Sequence, residues 1–225
     1  RITAEGVVSA AVDGTTGALV EINCETDFVS KNESFLALVK GCAELVAKNG
    51  PADVAALSAL PLALDGFGPT VEDVRKGLIG KIGENMSIRR FKRFAGDAKL
   101  VSYLHGTRIG VLVELKGGDA ELAKGLAMHI AAMNPPYIKA SDVPADFIAK
   151  EKDIQRARAL AEGKPEKIVD KVVEGRMSKF YEEVCLLDQP FIRDNTTTIG
   201  DLIKQKIAKL GENITVARFA RFKVG

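Results

Sequence analysis

The chain has 225 residues, 46% hydrophobic and 28% charged, with a formal net charge of +2. That length is enough for one large domain or two small ones with a substantial core, and the composition is that of a soluble globular protein. The charge balance excludes a global pull toward nucleic acid or an anionic membrane, and three cysteines without CxxC spacing (Cys24, Cys42, Cys185) exclude a disulfide framework and fit reduced thiols.

Val7–Val12 and Ala18–Ile22 read as strands joined by the Gly-rich "DGTTG", a hairpin connection. After them "NCETDFVS" (Asn23–Ser30) puts Phe28 at a turn, a place that favours Gly, Asn, Asp and Ser. Helix signals follow: Ser30 with Glu33 as a capping box, the helical "FLALVKGCAELV" (Phe35–Val46), and the stop Asn49-Gly50-Pro51. Thr70–Phe94, "TVEDVRKGLIGKIGENMSIRRFKRF", predicts a helix, a glycine C-terminus at "GEN" and a strand of branched and aromatic residues. In an extended strand Phe91 and Phe94 point to opposite faces, so a bulge or cover on both sides is needed. The cluster Arg89, Arg90, Lys92 and Arg93 around these rings resembles an RNA-binding strand. A solvated strand face over an aromatic core is the stronger reading.

The plan then repeats. "LVSYLHGTRIGVLVEL" (Leu100–Leu115) matches Val7–Ile22 at an offset of 93, and "TIGDLIKQKIAKLGENITVARFARF" (Thr198–Phe222) matches Thr70–Phe94 at an offset of 128. Twelve of the latter 25 positions are identical, Gly83/Gly211, Glu84/Glu212, Asn85/Asn213 and Phe91/Phe219 among them. The period is too long for a solenoid. Two fused copies of an α+β unit are predicted, each an antiparallel sheet with helices, over residues 1–96 and 97–225.

Within the second copy, "AELAKGLAMHIAAMN" carries the stripe Leu122, Leu126, His129, Met133. A lone His on such a stripe is usually a hydrogen-bonded core residue, yet the Ala and Gly around it permit close approach of another surface; both readings stand. Residues 144–186 predict two charged antiparallel helices turning at Gly163-Lys164-Pro165. Their narrow stripes, Phe147, Ile154 and Leu160 or Ala161 on one and Ile168, Val172, Phe180 and Val184 on the other, suit a coiled-coil pair. Such an arm, roughly 30 Å long at about 1.5 Å per residue, either projects from the body, the favoured reading, or lies flat on it.

Enzyme signatures are poor. The two histidines, His105 and His129, form no zinc-binding pair; "GLIGKI" lacks the P-loop spacing and "GFGPTV" the third glycine of a dinucleotide loop. No cysteine sits in a nucleophile motif. A non-enzyme without cofactor, metal or direct nucleotide binding is predicted. No apolar run of about 18 residues and no signal-peptide pattern occurs, so no membrane association is expected. The start at Arg1, without Met, reads as a processed or trimmed product.

Comparing the copies isolates Phe28. After matched strands, copy one reads "NCETDFVSKNESF" and copy two only "KGGDAEL". The corner is therefore an insertion that the shared fold does not require. Phe28 either plugs a local gap or is presented to a partner, and presentation is favoured because exposed aromatics anchor interfaces.

The runs "VEINCETDFVSKNESF", "GKIGENMSIRRF", "HGTRIGVLVEL", "AMHIAAMNP" and "EGRMSKF…QPF" closely resemble elongation factor Ts, over nearly the whole chain. The resemblance implies two related α+β subdomains with a protruding helical hairpin and a cytoplasmic guanine-nucleotide exchange factor whose partner is elongation factor Tu. It implies that Thr26, Asp27, Phe28 and Val29 form the corner that reaches the GTPase domain near its magnesium. Arg108, Ile109, Gly110 and His129 would belong to a second contact surface, and the arm would touch the GTPase domain's far side. The family's small N-terminal three-helix module has no counterpart before Arg1, nor has the C-terminal segment of longer members one after Gly225. An RNA-binding module built on the Arg/Phe strands is the alternative.

Overall fold

The computed structural model describes all 225 residues, Arg1–Gly225. It is an α+β structure that divides into two compact units, residues 1–131 with 212–225, and residues 132–211.

The first unit contains two three-stranded antiparallel sheets. One has the order β1 (Glu5–Asp13), β2 (Thr16–Cys24), β3 (Met86–Ala95), and the other β4 (Lys99–His105), β5 (Ile109–Lys116), β8 (Thr215–Lys223). Both carry a bulge at the same place. Opposite Glu21 and Ile22 stand Arg90 and Ile88, leaving Arg89 as the extra residue; opposite Glu114 and Leu115 stand Arg218 and Val216, leaving Ala217. The bulge re-phases the strand, so that Ile88 and Phe91 share the face that packs on α1 (Glu33–Asn49), while Arg90 and Phe94 share the other. Of the two expected solutions for Phe91 and Phe94, cover on both sides is the one that serves: the bulge lies before both rings, which stay on opposite faces, Phe91 on the α1 core and Phe94 between the sheets.

Phe35, Leu38, Val39, Cys42, Ala43 and Val46 recur at helical spacing on α1 and pack against Val20 and Ile22 of β2, joined by Leu57 of α2 (Val54–Ser58) and by Val71, Val74 and Leu78 of α3 (Val71–Ile82). Burying a side chain such as Phe35 contributes about 1.5–3 kcal/mol. The start of α1 differs from expectation. Asn32, not Ser30, is its N-cap, and its side chain accepts from the N–H groups of Ser34 and Phe35. Ser30 lies in a 3-10 turn, Val29–Lys31, and its hydroxyl donates to the Asp27 carbonyl instead (2.6 Å). Left-handed Gly50 and Gly83 end α1 and α3, positions where glycine costs nothing sterically.

Between the sheets lies a second core of Val8, Leu19, Phe94, Leu100, Leu112 and Phe222. It is built reciprocally. Arg90 donates to buried Glu21 within its own sheet (2.7 Å), lies 4.3 Å over the Phe222 ring of the other, and donates to the Lys223 carbonyl (3.1 Å). Arg218, its counterpart at an offset of 128, donates to Glu114 (2.9 Å), lies 4.3 Å over Phe94, and donates to the Ala95 carbonyl (3.1 Å). Both arginine side chains keep part of their surface in water, so each cation–π contact contributes about 0.5–1 kcal/mol. The helix α4 (Ala120–Met133) buries Leu122, Ala123, Leu126, Ala127 and Ile130.

The second unit holds α5 (Ala145–Ala161), α6 (Glu166–Val184), the short ribbon β6 (Pro190–Phe191) and β7 (Asp194–Thr198), and α7 (Ile199–Leu210). The pair α5–α6 turns at Gly163 (φ 81°) and is bridged by Arg156–Asp170 and Arg176–Glu162 ion pairs. Its seam matches the expected stripes in part: Phe180 is buried and Val172 and Val184 pack beside it. Val169, Val173, Met177 and Phe180 of α6 and Ala159 of α5 are buried, whereas Phe147, Ile154, Leu160 and Ile168 remain exposed. Apolar residues lie on more than one side of each helix, and the tight turn selects which faces meet.

Candidate functional site

The corner between β2 and α1 is built from its ends inward. Cys24 finishes β2 and is buried, and its thiol donates to the Thr26 carbonyl (3.3 Å). Glu25 and Thr26 are half-buried, Asp27 is exposed, and Phe28 is 82% exposed with right-handed helical backbone angles. Val29 turns inward and joins the α1 core at 6% exposure. One residue apart, an aromatic side chain faces water and a smaller aliphatic one fills the interior. The four corner residues thus split: Asp27 and Phe28 form the tip, and Thr26 and Val29 anchor it.

The corner is hydrogen-bonded rather than loose. The Ser30 N–H donates to the Thr26 carbonyl (3.3 Å), the Lys31 N–H to that of Phe28 (3.2 Å), and the Asn32 N–H to that of Val29 (2.9 Å). From the turn between α3 and β3, the Glu84 carboxylate accepts from the N–H groups of Glu25 (3.1 Å) and Thr26 (3.0 Å) and from the Thr26 hydroxyl (2.6 Å). The Glu25 carboxylate accepts from the Asn85 N–H (2.8 Å). Sequence reasoning missed this brace, taking "GEN" as a helix stop only. The available signal was that Glu84 and Glu212 are identical in the two copies, more than a stop requires.

The second sheet has the counterpart without the tip. Gly117 and Gly118, both left-handed, lead from β5 toward α4, and the Gly118 N–H donates to Glu212 (2.9 Å). A Cβ on Gly117 would sit 2.1 Å from the Asn213 carbonyl, so only glycine fits.

The other expected residues do not gather into one exposed patch. Arg108 is exposed and pairs with Glu5 (2.5 Å), Ile109 is half-buried, and Gly110 is buried with Val8 2.6 Å from where its Cβ would be. His129 is fully buried. The Arg/Phe strand is likewise engaged: Phe94 is buried, Phe91 packs on the α1 core, Arg90 is held as described, and Arg93 donates to the Ala47 carbonyl (3.2 Å). Phe94 is closed to a stacking base, and Phe91 is half-buried against α1.

Chemically the molecule is quiet. Burial, with the Glu84 and Glu5 carboxylates adding, pushes the Cys24 thiol up to about 12; burial alone takes Cys42 to about 12, and Cys185 rises to about 11. The thiols therefore stay protonated near neutral pH. No group of three His, Cys, Asp or Glu side chains is placed to hold a metal ion, and no helix is long and apolar enough to cross a membrane.

Fold and corner define a duplicated α+β protein that displays one braced aromatic tip. Comparison with known proteins gives the family. Residues 25–225 match the family model for elongation factor TS. The chain is 57% identical to elongation factor Ts of Variovorax paradoxus (strain S110), across all of this chain and 74% of that protein. It is also 57% identical to that of Paracidovorax citrulli (strain AAC00-1), with the same coverage, and 56% identical to that of Cupriavidus taiwanensis, across all of this chain and 73% of that protein. The chain belongs to the elongation factor Ts family, a family of translation elongation factors.

Proposed function

We propose that this chain is a guanine-nucleotide exchange factor that binds elongation factor Tu in the cytoplasm and promotes release of its GDP. The observation that carries the reading is Phe28, 82% exposed on a corner anchored at both ends. Leaving so large a ring in water forgoes about 2–3 kcal/mol of burial, which a partner's pocket recovers. Asp27 and Phe28 enter the GTPase domain near the magnesium that Tu holds against its nucleotide. The ring wedges between side chains there and displaces the elements that place magnesium and phosphate ligands. Because magnesium offsets the phosphate charge, misplacing its ligands weakens GDP without any bond being broken. Linkage makes the effect reciprocal: a factor that weakens GDP is itself weakened by GDP, so GTP loading and dissociation of the factor complete the cycle. Arg108, Ile109, Gly110 and His129 belong to a second contact surface, and the α5–α6 pair supplies a third. The chain itself binds no nucleotide.

The test is release of fluorescent GDP from purified Tu with this chain present or absent. Acceleration is expected. Binding to Tu without acceleration would make the chain an adaptor, and retention of RNA at moderate salt would favour the Arg/Phe strands.

A further inference from the structure

The tip's own bonds are local: the Asp27 carbonyl accepts from the Ser30 hydroxyl (2.6 Å) and the Phe28 carbonyl from the Lys31 N–H (3.2 Å). Phe28 is in water, and Asp27 is exposed. The fixed points are Glu25 and Thr26, and both are gripped from a distant part of the chain. Glu84 Oε1 accepts both backbone N–H groups and Oε2 accepts the Thr26 hydroxyl, so a single carboxylate uses both oxygens on two consecutive residues. Asn85 returns a bond to Glu25. Bonds to an ionised acceptor are the strong class, about twice a neutral one. Thr26 in turn accepts, on its carbonyl, the Ser30 N–H and the Cys24 thiol, which closes the turn around the tip. The left-handed Gly83 (φ 85°) places Glu84 at this point, directly after α3.

The second sheet shows what the same device does without a tip. Glu212 accepts from Gly118, at the equivalent place, and there it only closes a glycine turn. The brace belongs to the shared plan, and in the first copy it grips an insertion.

We propose that Glu84 is a positioning residue for nucleotide exchange: it holds Glu25 and Thr26 so that Phe28 is presented ready to dock. This rests on the exchange reading above. A corner that must be ordered during docking reduces apparent affinity by the fraction of time it is competent, while the ring, once docked, wedges as before. Glu84 and Phe28 therefore fail differently. Loss of Glu84 raises the concentration of factor that gives half-maximal GDP release; loss of Phe28 lowers the maximal rate.

The experiment measures GDP release from Tu over a range of concentrations of the full chain. Glu84→Ala is expected to raise the half-maximal concentration about tenfold, with the maximal rate within about twofold of the parent. Glu84→Gln, which keeps an oxygen for the two N–H groups, should recover most of that loss. Amide exchange should quicken at Glu25 and Thr26 in Glu84→Ala. Glu212→Ala controls for a merely structural role, since it removes the matching bond and should leave half-saturation unchanged. Half-saturation of Glu84→Ala equal to the parent, with Phe28→Ala still defective, overturns the positioning role and leaves the exchange reading intact. An equal loss in Glu84→Ala and Glu212→Ala, in proportion to their melting temperatures, also overturns it. Normal stimulation by Phe28→Ala ends the wedge role of the ring and the role of Glu84 with it, whereas failure of the parent chain to accelerate release ends the exchange reading.

Discussion

In the first sheet the chain leaves β2 and needs the eight residues Glu25–Asn32 to reach α1; in the second it leaves β5 and enters α4 after Gly117–Asp119. On the inner faces the same two sheets match contact for contact, with Arg90 over Phe222 and Arg218 over Phe94 at the same 4.3 Å. The difference follows from who the neighbours are. Each sheet's inner face is the other's surroundings, so a change on one side disturbs both. The strand-to-helix connection has water on one side, and a longer loop costs little in closure entropy. The two copies agree where each surrounds the other and differ where the chain has water beside it.

The largest effects should come from breaking the inner match. Phe94→Ala and Phe222→Ala should each destabilise by about 3–5 kcal/mol, as large-to-small core substitutions do. Urea unfolding of both variants would check it. Costs that differ by more than about 2 kcal/mol would show that the two rings, although placed alike, are not equivalent.

The outer difference is tested at Phe28. Phe28→Ala should leave the melting temperature of the chain nearly unchanged, because no cavity opens, and should cost about 2 kcal/mol of coupling to Tu, roughly thirtyfold in stimulated GDP release. Asp27→Ala should act in the same direction by less. A large drop in melting temperature for Phe28→Ala would instead make the ring a structural plug.

A finer asymmetry lies in two glycines at equivalent positions where the sheets approach. A Cβ on Gly110 would lie 2.6 Å from a Val8 methyl, and one on Gly17 3.0 Å from a Leu112 methyl. Gly110→Ala should cost about 1–2 kcal/mol by overpacking and Gly17→Ala less. The reverse order in thermal melts would mean that the first sheet is the less yielding.

The smallest effect concerns pH. Cys24 and Cys42 lie in the α1 core, and burial raises both from 9.0 to about 12. Above pH 9 the unfolded chain loses these protons while the folded one keeps them, so stability is complete below pH 9 and declines as the pH rises toward 12. Cys42→Ala should soften that decline in urea titrations, and the native thiols should stay silent to a thiol reagent at pH 8.

Much was legible along the chain because it is locally encoded. The alternation of strands, the glycine stops at Gly50, Gly83 and Gly211, and the matched segments announce two copies of an α+β unit. Comparing those copies exposed the corner, since an insertion into a repeated plan is visible without coordinates. The same comparison favoured an exposed Phe28 over a ring that plugs a local gap, and the structure leaves it in water. Long-range partners were decided only in the tertiary structure. The strand of Arg90 and Phe94 reads as a solvated face over an aromatic core, and only the fold shows that the core side of it is the other sheet, with Arg90 lying over Phe222. His129 could have lain at a surface or in a core, and it is buried. The seam of α5 and α6 kept Phe180 of the expected stripe but shifted to Val169, Val173 and Met177, because periodicity gives a helix its faces but not which face meets a partner. Glu84 was visible as a repeated residue, but its bonds to Glu25 and Thr26 span about sixty residues of chain. A hydrogen bond at that separation exists only when folding has brought both ends together, and no local pattern records it.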